Sequence, residues 1–530
     1  MIYSYHTFLF PFIWEGRGNK NVSTEDFKAL FDQNPNWENI NMTDEFRIKS
    51  NPEIRSNEDA FLFYKEYQYF HPYARKAIYG FEDSIVFNYA FRPQDVRNKA
   101  HYYITKTMKL PEITGNSYRE ITFDLLINSI KLKIYNTGIA IFILEGENHG
   151  LTKDGEPQNN LNSVKAINDY GRRISLPFIN PYYSLSADKL TLSIEGIGEF
   201  VSDFKDCIER TKTKEDMENG ISLTHFCDFI KNILSFGGSK PFTSKSTKSG
   251  DCCFVYSALD DRMFVASYIK DTKESDAMKA RGNDNRPLFY TQDDLSKSLY
   301  ELLCVDPPDN CCCMDPLMRE EEISKAVYTR WLDYGTLTTC TNQALITLTT
   351  SDAPLHMDET FLTQYVQMCC LCLAQRASII HFQRIASSVS AHVEERGRQI
   401  RLSTVSRLMT LQERFVAFQN QLNFHEVTPE LQGIELYDLL MRNSFITEEM
   451  SSLKEQLDAL SDAANTSLDF NFNKFALIFA VPTLLWDFCG FLMDGVWDAT
   501  QKTVSFPYLS TGVLSVLMIV GLLFKYRRKK

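Results

Sequence analysis

Two apolar segments near the C-terminus limit the folds available to this chain more than any other feature. The first lies within 473–495 and reads KFALIFAVPTLLWDFCGFLM from Lys474, and the second, 504–524, reads VSFPYLSTGVLSVLMIVGLLF. Each is about 20 residues long, the length that an α-helix needs to cross the roughly 30 Å of hydrocarbon in a bilayer. The pair predicts two transmembrane helices; a pair of buried core helices is the alternative.

The charges around these segments predict their orientation. The tail, 525–530, reads KYRRKK, whereas the connection 496–503 contains Asp498 and only one basic residue, Lys502. Basic residues concentrate on the cytoplasmic side of a membrane. We therefore expect a multi-pass protein with both termini in the cytoplasm and 496–503 as an external loop. The first residues lack the basic lead-in of a signal peptide.

One face of the first segment carries only small or polar residues, at alternating steps of three and four positions that trace one side of a helix. An ionisable residue at that depth, such as Asp487, normally faces a bundle interior or a water-filled cavity. The face is therefore predicted to line a pore, which requires several copies of the chain around a shared axis. Tight packing of small residues between helices is the alternative. The predicted pore-lining residues are Asn473, Ala476, Ala480, Thr483, Asp487, Gly490 and Asp494.

The segment 1–357 is predicted to be a cytoplasmic α/β domain that senses a ligand. A net charge of −12 argues against a nucleic-acid-binding surface. A run of apolar residues predicts a strand over Phe8–Trp14, and Ser23 marks the start of a helix. Two β-hairpins are predicted: one over 121–145 with its turn at Asn136-Thr137-Gly138, and one over Cys252–Ile269 with a polar tip at Asp260–Arg262.

The region 358–472 is predicted to be helical. Its last helix is expected to begin at Thr428, with Pro429 in the first helical position. Neither Pro nor Gly occurs between Ser444 and Phe479. The pattern therefore predicts one stalk helix, bent at most near Gly433, of about 60 residues or about 90 Å, which continues into the first apolar segment.

Polar clusters at the ends of strands and helices are the predicted ligand-binding residues, because loops held by a scaffold are where binding groups concentrate. The adjacent arginines that follow Tyr170-Gly171 suit a phosphate group, and a solvated loop is the alternative there. The predicted ligand-binding residues are Asn136, Thr137, Arg172, Arg173, Asp260, Asp261, Arg262, Arg330, Trp331, Asp333 and Tyr334.

The order of a cytoplasmic α/β domain, a stalk helix, two crossings and a basic tail resembles the CorA family of magnesium transporters. Within the first crossing the resemblance includes Pro482 and Gly490. It implies a homo-oligomer, specifically a pentamer, in contact with membrane lipid. CorA transporters end this crossing in Gly-Met-Asn, whereas 490–495 reads GFLMDG, so no selectivity-filter role is carried over.

Several segments are similar to the divergent CorA-like proteins associated with type III CRISPR systems. They are YHTFLFPFIW, KLKIYNTGIAIF, YGRRI, LDDRMF, RWLDYGT and FQNQLNFHEVTPELQGIELYDLL. This resemblance implies a ligand-gated ion channel or membrane effector in the inner membrane of a prokaryote. It further implies activation by a nucleotide second messenger, the conjugate of S-adenosylmethionine with AMP, in antiviral defence.

Two other functions are considered. A constitutive divalent-cation transporter is the alternative, since Asp494 and Asp498 would suit a hydrated cation. An enzyme is not expected, because the sequence shows neither a nucleophile elbow nor a phosphate loop. Thirteen cysteines are present, and a reducing cytoplasm disfavours disulfides. Cys369, Cys370 and Cys372 lie in an apolar helical run and are predicted to be core residues.

Overall fold

The computed structural model describes residues 3–16, 22–41, 65–80, 85–109, 118–175, 185–204, 228–243, 252–394 and 402–463. These ranges form a mixed α/β fold built on one sheet of fourteen strands. The strands are β1 (Tyr3–Glu15), β2 (Trp37–Asn39), β3 (Val86–Phe91), β4 (Ala100–Lys109), β5 (Tyr118–Tyr135), β6 (Ile139–Asn148), β7 (Lys189–Ile194), β8 (Gly198–Asp203), β9 (Phe242–Thr243), β10 (Cys253–Ser257), β11 (Phe264–Lys270), β12 (Val327–Tyr328), β13 (Leu337–Cys340) and β14 (Ala344–Thr349).

Helices pack on this sheet and dominate the chain after β14. They are α1 (Thr24–Asp32), α2 (Pro72–Tyr79), α3 (Pro93–Val96), α4 (Leu161–Arg172), α5 (Asp228–Ser235), α6 (Thr272–Lys279), α7 (Asp293–Cys304), α8 (Pro316–Ala326), α9 (Leu355–Thr360), α10 (Val366–Glu394), α11 (Leu402–Gln421) and α12 (Leu431–Asn443). A π-helical turn, Phe361–Tyr365, joins α9 to α10. Residues 65–69 and 446–463 are also helical.

The chain divides into two compact units. Unit 1 comprises Met1–Gln383 and Arg414–Leu453, and unit 2 comprises Arg384–Glu413 and Lys454–Lys530. Unit 1 contains the whole sheet, and the described part of unit 2 is helical.

Strand β1 lies in the middle of the sheet and is bonded along both edges. Its sequence, YSYHTFLFPFIWE, is rich in the aromatic and β-branched residues that favour strands. One edge pairs with β6, and the other pairs with β11 near its start and with β10 near its end. The strand predicted over Phe8–Trp14 is confirmed, and its side chains from Phe8 to Ile13 are buried.

A change of partner along β1 coincides with Pro11. Pairing with β11 ends at Leu9, and pairing with β10 begins at Phe12. The carbonyl of Pro11 accepts the Ala258 N–H at 3.0 Å, so its nitrogen faces the same edge. Because proline has no N–H to donate, an unbroken partner strand would leave one ladder bond unmade here. The interruption of the ladder removes that loss.

The predicted hairpins have different outcomes. Strands β5 and β6 form the first one, with Asn136, Thr137 and Gly138 as its turn, which confirms that prediction. The second is wrong, since β10 and β11 both pair with β1 along successive stretches of one edge. Asp260, Asp261 and Arg262 therefore lie in the connection between two collinear strands.

The solvated loop that was the alternative for Arg172 and Arg173 does not form, because the chain is α-helical from Leu161 to Arg172. The side chain of Asn160 caps this helix by accepting the Ser163 N–H at 2.8 Å.

A buried polar network ties α4 to β1. His6 is fully buried, and its Nδ1 lies 2.7 Å from the Asn168 side-chain oxygen. Its Nε2 lies 2.9 Å from the Ser4 hydroxyl. Since the amide oxygen can only accept, Nδ1 carries the proton and Nε2 accepts from Ser4, which is the neutral imidazole. Burial lowers the pKa of His6 to about 4.

The predicted fold class requires correction. Within the described ranges, no helix is long and apolar enough to cross a bilayer, and the fold is the mixed α/β sheet described above. This finding overturns the predicted α/β domain with two transmembrane helices, together with the prediction of a multi-pass protein of the inner membrane. The segments on which it was based, 473–495, 496–503, 504–524 and 525–530, lie outside the described residues, as do all seven predicted pore-lining residues.

The single stalk helix is wrong as well. Helix α12 begins at Leu431, with Glu430 as its N-cap, and ends at Asn443. Ser444 and Phe445 form a turn before the helical residues 446–463. Phe445 has a φ of 56°, in the left-handed region that interrupts a right-handed helix. The break therefore occurs without Pro or Gly, which explains why the sequence pattern did not reveal it.

Gly433 generates the first prediction. A Cβ at this position would lie 2.5 Å from the Thr428 methyl carbon and would also meet the Tyr69 hydroxyl. Overpacking of this kind costs about 1–3 kcal/mol, so we expect Gly433→Ala to lower the urea midpoint correspondingly. Leu431→Ala is the control on the same helix, since Leu431 is 59% exposed and should change stability by about 0.5 kcal/mol or less. Equal stability of both variants would contradict the close approach of Tyr69 to α12.

His6 generates the second prediction. Its folded-state pKa is lowered, so the unfolded chain takes up the proton first as the pH falls through the ordinary histidine range. The contribution of neutral His6 to stability is therefore complete above pH ~6.5 and is lost towards pH ~4, by about 3 kcal/mol in total. We expect His6→Gln, which keeps one donor and one acceptor, to lose less stability than the wild type between pH 7.5 and 4.5. Parallel pH profiles of the urea midpoint would contradict this assignment.

Candidate functional site

The predicted ligand-binding residues lie in three separate places within unit 1. Asn136 and Thr137 form the β5–β6 turn, which packs on α10. The Thr137 hydroxyl is buried 2.7 Å from the Ser378 hydroxyl, so this side chain already has a partner in the fold. Asn136 is exposed, and its backbone N–H donates to the Ile85 carbonyl at 2.9 Å.

The second place combines the end of α4 with the connection between β10 and β11. Arg173 and Arg262 form an isolated antiparallel bridge, and the Met263 N–H donates to the Arg172 carbonyl at 2.9 Å. These residues were predicted as two separate clusters, and the fold brings them together.

The arginines of this second cluster are engaged by the protein itself. Arg172 is only 2% exposed and donates to the Gln343 side chain at 2.8 Å and to the Val305 carbonyl at 3.1 Å. Burial lowers its pKa to about 10. Arg173 pairs with Asp169 at 2.7 Å, and Arg262 pairs with Asp260 at 2.8 Å. A phosphate would have to compete with these carboxylates.

Asp261 is the unusual acid of the second cluster. Burial and the neighbouring Asp260 carboxylate raise the pKa of Asp261 to about 6. The pKa of Asp260 is instead lowered, despite burial, by hydrogen bonds from Asp261 and Arg262. Of the two adjacent carboxyls, Asp261 therefore keeps its proton to a higher pH than Asp260 does.

The third place borders a cavity of about 430 Å³, within the size range of small-molecule sites. Trp331 and Tyr334 line it directly. The cavity lies between β13, β14 and the segment from Thr350 to Tyr365, with the first turn of α12 at one side. Its lining residues are Tyr268, Tyr328, Trp331, Tyr334, Thr336, Thr338, Thr347, Thr349, Thr350, Asp352, Ala353, Pro354, His356, Met357, Thr360, Phe361, Tyr365 and Gln432.

Four threonines of β13, β14 and the residue before β13 form the floor of this cavity. The hydroxyls of Thr336 and Thr349 lie 2.8 Å apart, and those of Thr338 and Thr347 lie 2.9 Å apart. Cross-strand pairs of this type stabilise a sheet by about 0.2–1 kcal/mol. Each pair uses one donated proton between its two oxygens, so a hydroxyl proton and further lone pairs stay available to a ligand.

The opposite face of the same two strands is buried in the hydrophobic core. Ala344, Ile346 and Leu348 of β14 alternate with the cavity-facing residues and are part of the main hydrophobic core. Leu337 of β13, which pairs with Leu348, belongs to the same core. One side of the ribbon is therefore fixed by apolar burial, and the other presents hydroxyl groups to the cavity.

The π-helical turn supplies aromatic walls. A π-turn contains an extra residue relative to an α-helix and is found frequently at functional sites. Phe361 and Tyr365 lie at its two ends and both line the cavity. The Phe361 ring lies 5.2 Å from that of Tyr268 and 6.1 Å from that of Tyr365.

Trp331 and Tyr334 form the open side. Their ring centroids are 5.9 Å apart with an interplanar angle of 57°. Trp331 is 39% exposed and Tyr334 is 78% exposed. Two large aromatic rings exposed to water at the mouth of a cavity are unfavourable, because their apolar surface is not buried. A ligand that covers them would bury this surface.

The other two predicted residues of this stretch turn away from the cavity. Asp333 pairs with Arg281 at 2.7 Å. Arg330 donates through Nε to Glu435 of α12 at 2.7 Å, and the Tyr328 hydroxyl donates to the same carboxylate at 2.7 Å. These contacts lower the pKa of Glu435. Arg330 and Tyr328 also border a second, shallower cavity of about 470 Å³ with Asp438 and Arg442.

Sequence reasoning missed most of the residues that line the first cavity. The threonines carry a usable signal, because Thr336 and Thr338, and likewise Thr347 and Thr349, recur at the period of a strand whose other face is apolar. Tyr268, Asp352, His356 and Gln432 come together only through the fold.

A metal site is not evident in the ranges that the structure describes, where no group of three or more His, Cys, Asp or Glu side chains could hold an ion. Cys369, Cys370 and Cys372 are buried within α10, in agreement with their prediction as core residues. Burial raises the pKa of the Cys370 thiol to about 11.

No protein-family model matches this chain, and a comparison with curated proteins finds no match.

Proposed function

We propose that this protein is a sensor of a small nucleotide-type ligand, which binds in the cavity between the threonine floor and the π-helical turn. The observation that carries the proposal is the combination of paired threonine hydroxyls with two exposed rings, Trp331 and Tyr334, around about 430 Å³ of space. Apolar walls with a few convergent polar groups are typical of small-ligand sites.

A nucleobase fits the chemistry of this cavity. Its faces stack on aromatic rings, and Trp331 offers such a ring with 39% of its surface exposed. Its edge carries hydrogen-bond donors and acceptors. The threonine hydroxyls can bond to both, because a hydroxyl group can donate and accept a hydrogen bond. The ligand implied by the CorA-like resemblance, the conjugate of S-adenosylmethionine with AMP, contains two adenine rings and is the first compound to test.

Tyr328 connects the cavity with helix α12, so ligand binding can affect that helix. Its ring lines the cavity, and its hydroxyl donates to Glu435 of α12. Gln432, on the first turn of the same helix, lines the cavity as well. A ligand that contacts Tyr328 and Gln432 acts directly on α12. Its effect on the protein's conformation is limited to the difference in its affinity for the two arrangements of that helix.

Replacement of the exposed rings generates the third prediction. We expect Trp331→Ala to weaken binding of the conjugate by about 1–3 kcal/mol, about 5- to 150-fold, because one stacking surface is lost. Tyr334→Ala should weaken it by a similar or smaller amount. Isothermal titration calorimetry of the purified full chain measures both.

Tyr118→Ala is the matched control, because Tyr118 is 63% exposed on β5 and lies outside the cavity. Its affinity should equal that of the wild type. Absence of heat and of a thermal shift with the wild-type chain would reject the conjugate as ligand. Unchanged affinity in both ring variants would move the site away from this cavity.

Glu435 generates the fourth prediction. Hydrogen exchange of α12 should become slower when the ligand binds to the wild type, because occupancy fixes Tyr328 and Gln432. In Glu435→Ala the affinity should stay within about threefold, since Glu435 does not line the cavity, while the added protection of α12 should be largely lost.

Asp438→Ala is the control on the same helix, where Asp438 pairs only with Arg442 at 2.9 Å among the ion pairs of the described residues. It should retain the protection. Equal protection in both variants would show that the contact between Tyr328 and Glu435 does not connect the cavity with α12.

A further inference from the structure

A group of exposed apolar side chains lies at the start of helix α8. All five residues from Met314 to Met318 are exposed. Three of them are large and apolar: Met314 is 69% exposed, Leu317 is 77% exposed and Met318 is 58% exposed. Single apolar residues are common on protein surfaces, whereas several side by side mark a surface that binds another molecule. We call these three side chains the apolar platform.

Hydrogen bonds fix the backbone on both sides of the apolar platform. The side chain of Asp315 caps α8 by accepting the Met318 N–H at 2.8 Å. Arg319 is only 1% exposed and donates to the Ser296 hydroxyl at 2.8 Å and to the Cys313 carbonyl at 2.9 Å. The platform is therefore ordered although its side chains lie outside the core. A surface that is already ordered avoids part of the entropy cost of binding.

Carboxylates adjoin the apolar platform. Between 305 and 326 the sequence contains six acidic residues and two basic ones. Glu321 follows Leu317 by four positions, and Glu322 follows Met318 by four. Residues four apart are neighbours on one face of a helix. An apolar surface on the first turn of α8 is thus continued by a negatively charged surface on the next turn.

Basic neighbours neutralise only part of this negative charge. Lys325 pairs with Glu321 at 2.7 Å and lies 3.4 Å from Glu322. Arg286 pairs with Glu320 at 2.7 Å. Two basic side chains therefore serve three consecutive carboxylates. Both cations are more than half exposed. Ion pairs in such contact with water contribute little to stability, so a partner's Lys or Arg can replace them at small cost.

We propose that the apolar platform binds a basic amphipathic segment of another protein. Its apolar side chains would cover Met314, Leu317 and Met318, and its Lys or Arg side chains would lie beside Glu321 and Glu322. An amphipathic helix presents these two kinds of side chain together, and methionine adapts its shape to different partners. None of these five residues lines the first cavity, so the proposal does not depend on the proposed function.

The negative charge also argues against two other occupants. In a symmetric contact between two copies of this chain, the same surface is used twice, so the carboxylates of both copies would be brought together. An anionic lipid surface would repel them for the same reason.

A synthetic peptide tests this surface. The probe is a fluorescein-labelled helical peptide of Leu and Lys, with Leu at steps of three and four, and its counterpart carries Glu in place of Lys. Fluorescence anisotropy with the full chain should show binding of the Lys peptide at least about tenfold tighter than that of the Glu peptide, and added salt should weaken it.

Two double variants and a control assign the binding to the apolar platform. Leu317→Ser with Met318→Ser should weaken binding of the Lys peptide at least about tenfold, because apolar burial is lost. Glu321→Gln with Glu322→Gln should reduce both the affinity and its dependence on salt. Leu431→Ser is the matched control, since Leu431 is 59% exposed on α12, and its affinity should equal that of the wild type. Equal urea midpoints verify that the variants are folded.

The contrary results would overturn the proposal. Absence of binding by the Lys peptide, or equal affinity for both peptides, would reject a basic partner. Unchanged binding in both double variants would place the peptide elsewhere on this acidic chain. Self-association of the wild type in sedimentation equilibrium that is abolished by Leu317→Ser with Met318→Ser would make the platform an interface between copies of this chain. Each of these results leaves ligand binding in the first cavity unaffected.

Discussion

The fold depends on the need of strand β1 for hydrogen-bond partners along both of its edges. The strand is 13 residues long, and its side chains are buried on both faces over most of that length. A buried backbone group without a partner costs as much as a lost hydrogen bond. Strand β6 meets this need along one edge. Along the other edge Pro11 prevents a continuous ladder, so two shorter strands, β10 and β11, provide the hydrogen-bond partners there.

That division of one edge determines where the candidate site forms. Because β11 ends at Lys270 beside the start of β1, its free edge can pair in parallel with β14. Strand β14 in turn pairs with β13, and the two strands bury Leu348 and Leu337 on the sheet's core side. Their threonines must then face the other way, towards the segment that follows β14. The polar floor of the cavity is thus a consequence of the two-residue period of the strands.

Local patterns in the sequence predicted those elements whose determinants are local. Strand β1 and the β5–β6 turn were predicted because an apolar run and an Asn-Thr-Gly turn each act over a few residues. The prediction of a hairpin at Asp260–Arg262 was wrong because its two strands pair with β1 on either side of Pro11 and not with each other. Their partner strand lies about 250 residues earlier in the chain, so no local pattern reveals the pairing. The prediction of one stalk helix was wrong because Phe445 adopts a left-handed conformation, and neither Pro nor Gly occurs there to indicate the break.

The candidate site was predictable in part for the same reason. Trp331 and Tyr334 were predicted as part of a polar cluster at the end of a helix, and both line the cavity. Arg172 was predicted to suit a phosphate because two adjacent arginines follow Tyr170-Gly171, and helix α4 carries its side chain into the interior. The order of residues cannot reveal the partners Gln343 and Val305 that the fold supplies to its guanidinium.

Helix α12 is held at both ends by hydrogen bonds and in between by its buried face, where Leu436, Tyr437 and Leu440 are fully buried. Near its start, Gly433 lets Tyr69 and Thr428 approach closely, and the Thr428 hydroxyl donates to the Tyr69 carbonyl at 2.6 Å. At its end, the Asn443 side chain donates to the Cys340 carbonyl of β13 at 2.7 Å. The intermediate contact, from Tyr328 to Glu435, is partly exposed and exchanges with water at small cost. Under the proposed function, a ligand acts on α12 through this partly exposed contact, and the size of the effect is set by the difference in its affinity for the two arrangements of the helix.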